Sequence, residues 1–170
     1  MTIRTAEARD AAAIAEIYNH YVTTSIITFE EEPVSAEDMT RRIGEVAAAS
    51  LPWLLAEESG RTTGYAYATP WRSRSAYRFS AEVTVYTAPG NGGRGIGSRL
   101  YSQLLPVLEA RNVHAVMGGI ALPNEASVAL HEKFGFRKVA HFAEVGFKFD
   151  RWIDVGYWQR TLMRQRRPVY

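Results

Sequence analysis

Four glycines, at positions 92, 93, 95 and 97, separate an apolar run from an amphipathic one, and they carry the most legible chemistry in this chain. The apolar run is Ala81-Glu82-Val83-Thr84-Val85-Tyr86, and the amphipathic run sets Leu100, Leu104, Leu105 and Leu108 on one helical face. A strand that ends in a glycine loop and continues as a helix aims unpaired N–H groups and the positive end of a helix dipole at one point. Glycine lets such a loop take positive φ and approach a ligand closely. The expectation is a phosphate or pyrophosphate pocket. A P-loop would require Gly-Lys-Ser/Thr at the helix start, and Gly95-Ile96-Gly97 has no such lysine. A dinucleotide fingerprint would read G-x-G-x-x-G on a first strand with an acid about 20 residues later. Here the loop is mid-chain, reads G-x-G-x-G from Gly93, and has no such acid. Taken alone, a glycine-rich surface turn without a ligand is the competing reading.

The elements that must position this loop follow from periodicity. Ile3 to Ala6 reads as a short strand, followed by a helix capped by Asp10 and bearing Ile14, Ile17, Tyr18 and Tyr21. Ser35-Ala36-Glu37-Asp38 fits a capping box for a second helix, to about Ala49. Trp53–Glu57 and Thr63–Thr69 read as a hairpin turning at Ser59-Gly60-Arg61, its second strand stopped by Pro70. A long strand over Tyr77–Tyr86 enters the glycine loop, and a helix over Gly95–Arg111 leaves it. Val113–Ala121 reads as a buried strand, and Pro123-Asn124 opens a helix ended by Gly135. Arg137–Phe147 and Val155–Leu162 read as aromatic-rich strands separated by Asp150 to Asp154. This order predicts an α/β domain with a mixed sheet. One domain over 1–163 is expected, with a basic tail at 164–170.

Composition narrows the function classes. Of 170 residues, 46% are hydrophobic and 22% charged, which fits a globular domain with a real core. No apolar run reaches the roughly 18 residues of a membrane span, and the N-terminus has no secretory apolar region. A net charge of +2, with basic residues clustered only at Arg160, Arg164, Arg166 and Arg167, gives no nucleic-acid footprint. The absence of cysteine excludes a thiolate nucleophile and thiolate metal site, and fits a cytoplasmic protein. His20, His114, His131 and His141 show no ligand spacing, so no metal is expected.

The glycine loop resembles the acetyl-CoA loop of the GNAT acetyltransferase superfamily, Q/R-x-x-G-x-G/A after a strand. Asn124 with Ser127-Val128-Ala129-Leu130-His131-Glu132-Lys133-Phe134-Gly135-Phe136 is similar to the superfamily's N-x-x-A-x-x-x-Y-x-x-x-G-F helix. Leu130-His131-Glu132 resembles a narrower group, the phosphinothricin and methionine sulfone or sulfoximine N-acetyltransferases. Three further segments are similar to that group: Tyr18–Ser25 with Phe29 and Pro33, Pro70–Tyr77, and Trp152–Arg160. The likeness runs from Ile3 to Leu162. It departs at Gly92, where the family has Gln or Arg, and at His131, where the superfamily has Tyr.

The resemblance implies a largely antiparallel sheet of six to seven strands, splayed at the cofactor site and flanked by helices. It implies acetyl-CoA as co-substrate, held by main-chain groups of Val85, Tyr86 and Thr87, by Gly93, Arg94, Gly95, Ile96, Gly97 and Ser98, and by Asn124. As a bare residue, Asn124 is a good helix cap. Glu82 is the implied base that frees the acceptor amine, its pKa raised by partial burial; an exposed strand glutamate is the alternative. His131 shares that role or protonates the departing thiolate, or else is a packed core histidine. Arg72 and Arg74 are implied to bind the acceptor carboxylate, against the alternative of a solvated loop. Ser73, Val83, Thr84, Phe29, Glu30 and Tyr77 complete the implied acceptor site.

Lacking cysteine, the chain is expected to transfer acetyl directly in a ternary complex. The implied acceptors are methionine sulfone, methionine sulfoximine and phosphinothricin, and the implied role is detoxification. Acetylation of another amine (an amino acid, a polyamine or a protein N-terminus) is the alternative within the class. A non-catalytic acyl-CoA sensor is the alternative outside it. The aromatic segments Phe142–Phe149 and Trp152–Trp158 imply a homodimer.

Overall fold

A computed structural model gives the fold and describes residues 1–162; the basic tail expected at 164–170 lies outside them. Seven strands form one sheet in the order β1-β2-β3-β4-β5-β7-β6. They are β1 (Thr2–Thr5), β2 (Trp53–Glu58), β3 (Arg61–Pro70), β4 (Ser80–Thr87), β5 (Ala115–Ala121), β6 (Arg137–Lys148) and β7 (Arg151–Thr161). The helices are α1 (Ala11–Thr24), α2 (Ala36–Ala48), α3 (Ile96–Ala110) and α4 (Glu125–Lys133). Only the β4–β5 pair is parallel. No helix among the described residues is long and apolar enough to cross a membrane.

Alternation along the central strands sends side chains into two cores. Leu54, Ala56, Ala66, Ala68, Ala81 and Val83 meet α3 on one face. Trp53, Leu55, Tyr65 and Tyr86 meet α1 and α2 on the other. The predicted leucine stripe of α3 is the buried one: Leu100, Leu104, Leu105 and Leu108 all lie in the first core. Each such leucine contributes about 1.5–3 kcal/mol relative to exposure. This packing fixes the helix N-terminus at the end of β4.

The structure corrects four local expectations. Tyr77 does not begin a strand; it closes a 3-10 turn over Ser75–Tyr77, and β4 starts at Ser80. The expected spacer at Asp150–Asp154 is mostly strand, because Phe149 and Asp150, at φ of 52° and 55°, make a tight hairpin turn between β6 and β7. Asp10 sits before α1 without capping it by its side chain. Instead its carboxylate takes two 2.7 Å hydrogen bonds from Arg4, which also holds Glu57. At Ser35 the box is half made. Its hydroxyl accepts from the Asp38 N–H at 3.0 Å and also donates to the Asp38 carboxylate at 2.8 Å, which the box does not require.

Candidate functional site

The site begins where the sheet opens. β4 pairs with β3 from Ala81 to Thr87, but with β5 only through Ser80, Ala81 and Glu82. Beyond Glu82 the two strands diverge, leaving one edge of β4 without a strand partner. The glycine loop lies past that edge, with φ of 76° at both Gly93 and Gly95. The amides of Gly93, Gly95, Ile96, Gly97 and Ser98 donate to no backbone or side-chain acceptor among the described residues. A cleft of about 580 Å³ joins these features, lined by Val85, Tyr86, Thr87, Gly93, Ser98 and Asn124 among others. Tyr21 on α1 ties down its floor, donating to the Thr87 carbonyl at 2.6 Å. Uncommitted amides at a helix N-terminus, next to an open strand edge, suit a ligand with a pyrophosphate and an amide-bearing arm. Acetyl-CoA has both.

The side chains here differ from expectation. Arg94 does not line the cleft: its guanidinium holds Asn91 at 2.6 Å and Glu58 at 2.7 Å on the outer surface. Lys133, at the end of α4, lines it instead and donates to Ser98 Oγ at 3.0 Å. Asn124 caps α4 through the Ser127 N–H at 3.1 Å and also lines the cleft. Gly97 packs closely, since a Cβ there would stand 3.0 Å from the Leu130 side chain.

A second cleft, of about 600 Å³, lies at the other end of the splay, and Ile27 lines both. Glu82 and Arg72 face each other's fields within it. Burial raises the Glu82 carboxyl, while the Arg72 charge and the Gly119 N–H pull it down; the net direction is up. A Cβ at Gly119 would be 3.0 Å from Glu82 Oε1 and 3.1 Å from the Tyr157 ring, so a larger residue there would press on the carboxylate. Phe29 lines this cleft, opposite Val155 and Phe142. A carboxylate of raised basicity beside a guanidinium can take a proton from an ammonium while a carboxylate is held nearby.

The remaining expected acceptor residues disperse. Ser73, Arg74 and Tyr77 line a separate recess that shares only Trp71 and Arg72 with the cleft. Glu30 turns away to pair with Arg42 at 2.7 Å. The Val83 side chain is buried against α3 in the opposite core. Thr84, on the Glu82 face of β4, lies opposite Tyr67 on β3.

His131 is 3% exposed and lines neither cleft. Its Nδ1–H donates to the Ser127 carbonyl at 2.8 Å, so Nε2 accepts from the Tyr101 hydroxyl at 3.0 Å. Phe136 and Tyr101 meet the ring edge-on, and a Cβ at Gly118 would collide with it. Burial pushes its pKa down, keeping it neutral. This placement disagrees with the expected proton role, because both ring nitrogens are committed inside the protein.

Gly118 and Gly119 escaped the sequence reading, as did Lys133 and Tyr157. The signal for the glycines was their adjacency in an otherwise apolar strand, where glycine marks close approach. Opposite faces of β5 then accommodate His131 and Glu82. Lys133 carried no signal beyond following His131 on the helix.

A family model for the acetyltransferase (GNAT) domain matches residues 3–156. The chain is 42% identical to a phosphinothricin N-acetyltransferase of Streptomyces coelicolor, over 94% of this chain and 95% of that protein. It is 36% identical to an L-methionine sulfoximine/L-methionine sulfone acetyltransferase of Salmonella typhimurium, over 99% and 98% of the two. A Salmonella typhimurium protein solved with its cofactor acetyl-CoA superposes with a TM-score of 0.94 at 35% identity, covering 98% of this chain and 96% of that one. Open strand edge, free amides at the glycine loop and whole-chain likeness agree, and the chain belongs to the GNAT family of acetyl-CoA-dependent N-acetyltransferases.

Proposed function

We propose that this enzyme acetylates the α-amine of a small amino-acid-like acceptor, with methionine sulfone, methionine sulfoximine and phosphinothricin as the leading acceptors. One observation carries the proposal: Glu82 and Arg72 share a cleft that opens at the unpaired edge of β4. Arg72 matches an acceptor carboxylate, and Phe29, Phe142 and Val155 suit a short side chain without charge. Glu82 is the single acid lining that cleft among the described residues, which disfavours a polyamine. The names of the relatives support the same acceptors.

Bound acetyl-CoA supplies the acetyl group as a thioester. Glu82 accepts the proton of the acceptor ammonium, which frees the nitrogen lone pair. The N–C bond forms as the C–S bond breaks, the nitrogen then gives up its second proton to solvent to become the amide, and open-edge N–H groups of β4 polarise the carbonyl. The leaving thiolate, of ordinary pKa near about 8.5, takes its proton from solvent without a strong acid. In this reading His131 packs the α4–β5 contact, and Arg74, Ser73, Tyr77, Glu30 and Val83 stand outside the acceptor contacts.

The same proposal includes a homodimer, a cytoplasmic location and a detoxifying role. The dimer is supported by Val139, Val145, Phe147, Phe149 and Trp152, all exposed on the β6–β7 hairpin. Light scattering at micromolar concentration is expected to give twice the chain mass; a monomer counts against pairing. The activity is tested by CoA-thiol release with methionine sulfone, methionine sulfoximine, phosphinothricin, methionine and spermidine. Turnover on the first three is expected, and turnover on spermidine alone would overturn the acceptor assignment.

A further inference from the structure

Lys148 is among the most buried side chains of the described protein, at 2% exposure, and no step above uses it. It and Gly146, two positions apart, are the only buried residues of β6 and therefore share one face of that strand. A buried ammonium must be paired or hydrogen-bonded. Lys148 Nζ donates to the carbonyls of Thr28 and Glu30, each at 2.8 Å. Between those two carbonyls stands Phe29, whose ring lies so close over Gly146 that any Cβ there would collide with it.

The segment held in this way runs between α1 and α2 and supplies Ile27 and Phe29 to the acceptor cleft. Near Phe29 its other anchors are the 2.7 Å contact between the Tyr18 hydroxyl and Thr28 Oγ1 and the Glu30–Arg42 ion pair, with Asn19 and Val34 bonded both ways at 2.8 Å further along. These attach it to helices on its own side. Among the described residues, the side-chain hydrogen bonds that tie it to β6 come from Lys148, beside the close Gly146–Phe29 approach, and β6 carries Val139, Phe142 and Val145 along the same cleft. The width of the cleft thus depends on a two-point clamp between strand and loop.

We propose that Lys148 is a positioning residue that, with Gly146, seats Phe29 as the acceptor-side wall and so sets the size of acceptor side chain admitted. The proposal rests on the reading of this cleft as the acceptor site. Lys148 touches neither Glu82 nor the glycine loop, and it holds the carbonyls on either side of Phe29 rather than Ile27, which lines both clefts; its effect is therefore expected on acceptor KM and not on acetyl-CoA binding.

The test compares wild type with Lys148→Met and, separately, Gly146→Ala. Hydrogen exchange of amides 26–30 reads the clamp without any acceptor: exchange at least 10-fold faster in Lys148→Met is expected, and unchanged exchange overturns the clamp. With methionine sulfone, both variants are expected to raise acceptor KM at least 10-fold, with kcat within about 3-fold and the calorimetric Kd for acetyl-CoA unchanged. Unchanged KM despite faster exchange overturns the role in specificity; a parallel loss of acetyl-CoA affinity overturns the confinement to one cleft. Because the chain has no cysteine, Lys148→Cys gives a single thiol, which 2-bromoethylamine converts to an ammonium-bearing side chain under denaturant. After refolding, that chain is expected to regain slow exchange and low KM, and failure to regain them overturns the proposal. If wild type turns over none of the acceptor panel, the acceptor reading fails while the exchange measurement still decides the clamp.

Discussion

The two clefts meet at Ile27 but are built from different materials. The cofactor cleft is mostly main chain: one strand edge, a glycine loop and the first turn of α3. The acceptor cleft is mostly side chain, drawn from the α1–α2 segment, the loop after β3, and β4, β5, β6 and β7. Main-chain recognition tolerates change in side chains, whereas a side-chain site loses function with the one group that acts. Substitutions in the two clefts should therefore differ in size, and the difference tests the comparison.

The largest effect is expected at Glu82. Glu82→Gln keeps the shape and removes the proposed base, so kcat/KM should fall by about 10²–10⁴, with acetyl-CoA affinity unchanged by calorimetry. The wild-type pH profile sharpens this. Burial raises the Glu82 pKa above its ordinary 4.5, and only the deprotonated form accepts a proton. Activity should therefore decline as pH falls through a limb above the usual carboxylate range, and a limb at the ordinary value would contradict the burial argument.

His131 lines neither cleft, and it separates packing from chemistry. His131→Ala removes a ring held by two hydrogen bonds and leaves a void against Phe136 and the Tyr101 hydroxyl unpaired. A loss of about 2–4 kcal/mol in unfolding free energy is expected, measured by denaturant titration. The acidic limb of the pH profile should stay where it is in the folded variant. If the limb moves, His131 takes part in the proton transfer after all.

These contrasts bear on what the sequence could reveal. The glycine loop was legible because a strand, a turn and a helix N-terminus are adjacent in the chain, and local geometry alone assembles them. Glu82 was legible as a lone carboxylate in an apolar strand. Arg74 was over-read: spacing by two put it beside Arg72, and the two do line one recess, but Arg72 alone of the pair also lines the cleft that holds Glu82. Lys148 was passed over, since a lysine near a hairpin turn has no visible reason to be buried until Thr28 and Glu30 arrive from 118 to 120 positions away. Long-range partners decide the acceptor cleft, and periodicity does not report them.

The arginine pair measures that misreading. Arg72→Ala should raise the methionine sulfone KM by about 10- to 100-fold, in line with about 1.5–3 kcal/mol for a charge-assisted hydrogen bond. It should also shift the acidic limb upward, because the Arg72 charge holds the Glu82 carboxyl down against burial. Arg74→Ala should change KM by less than about 3-fold and leave the limb in place. Equal effects from the two would restore the paired clamp expected from spacing.

A comparably small effect is expected at Arg94, the charged residue that the glycine loop brings nearest to mind as a phosphate ligand. Its guanidinium is already shared between Asn91 and Glu58, in an ion pair with side chains 52% and 41% exposed. Such surface pairs are worth about 0–1 kcal/mol, and the free amides of the loop remain when the side chain is removed. Arg94→Ala should therefore weaken acetyl-CoA binding by less than about 5-fold. Lys133→Ala should cost more, because Lys133 lines the cleft and Arg94 does not. Titration of both variants by calorimetry at two salt concentrations checks the ranking. A larger loss at Arg94 would mean that its guanidinium leaves Glu58 for the ligand, and that the cofactor cleft relies on side-chain charge after all.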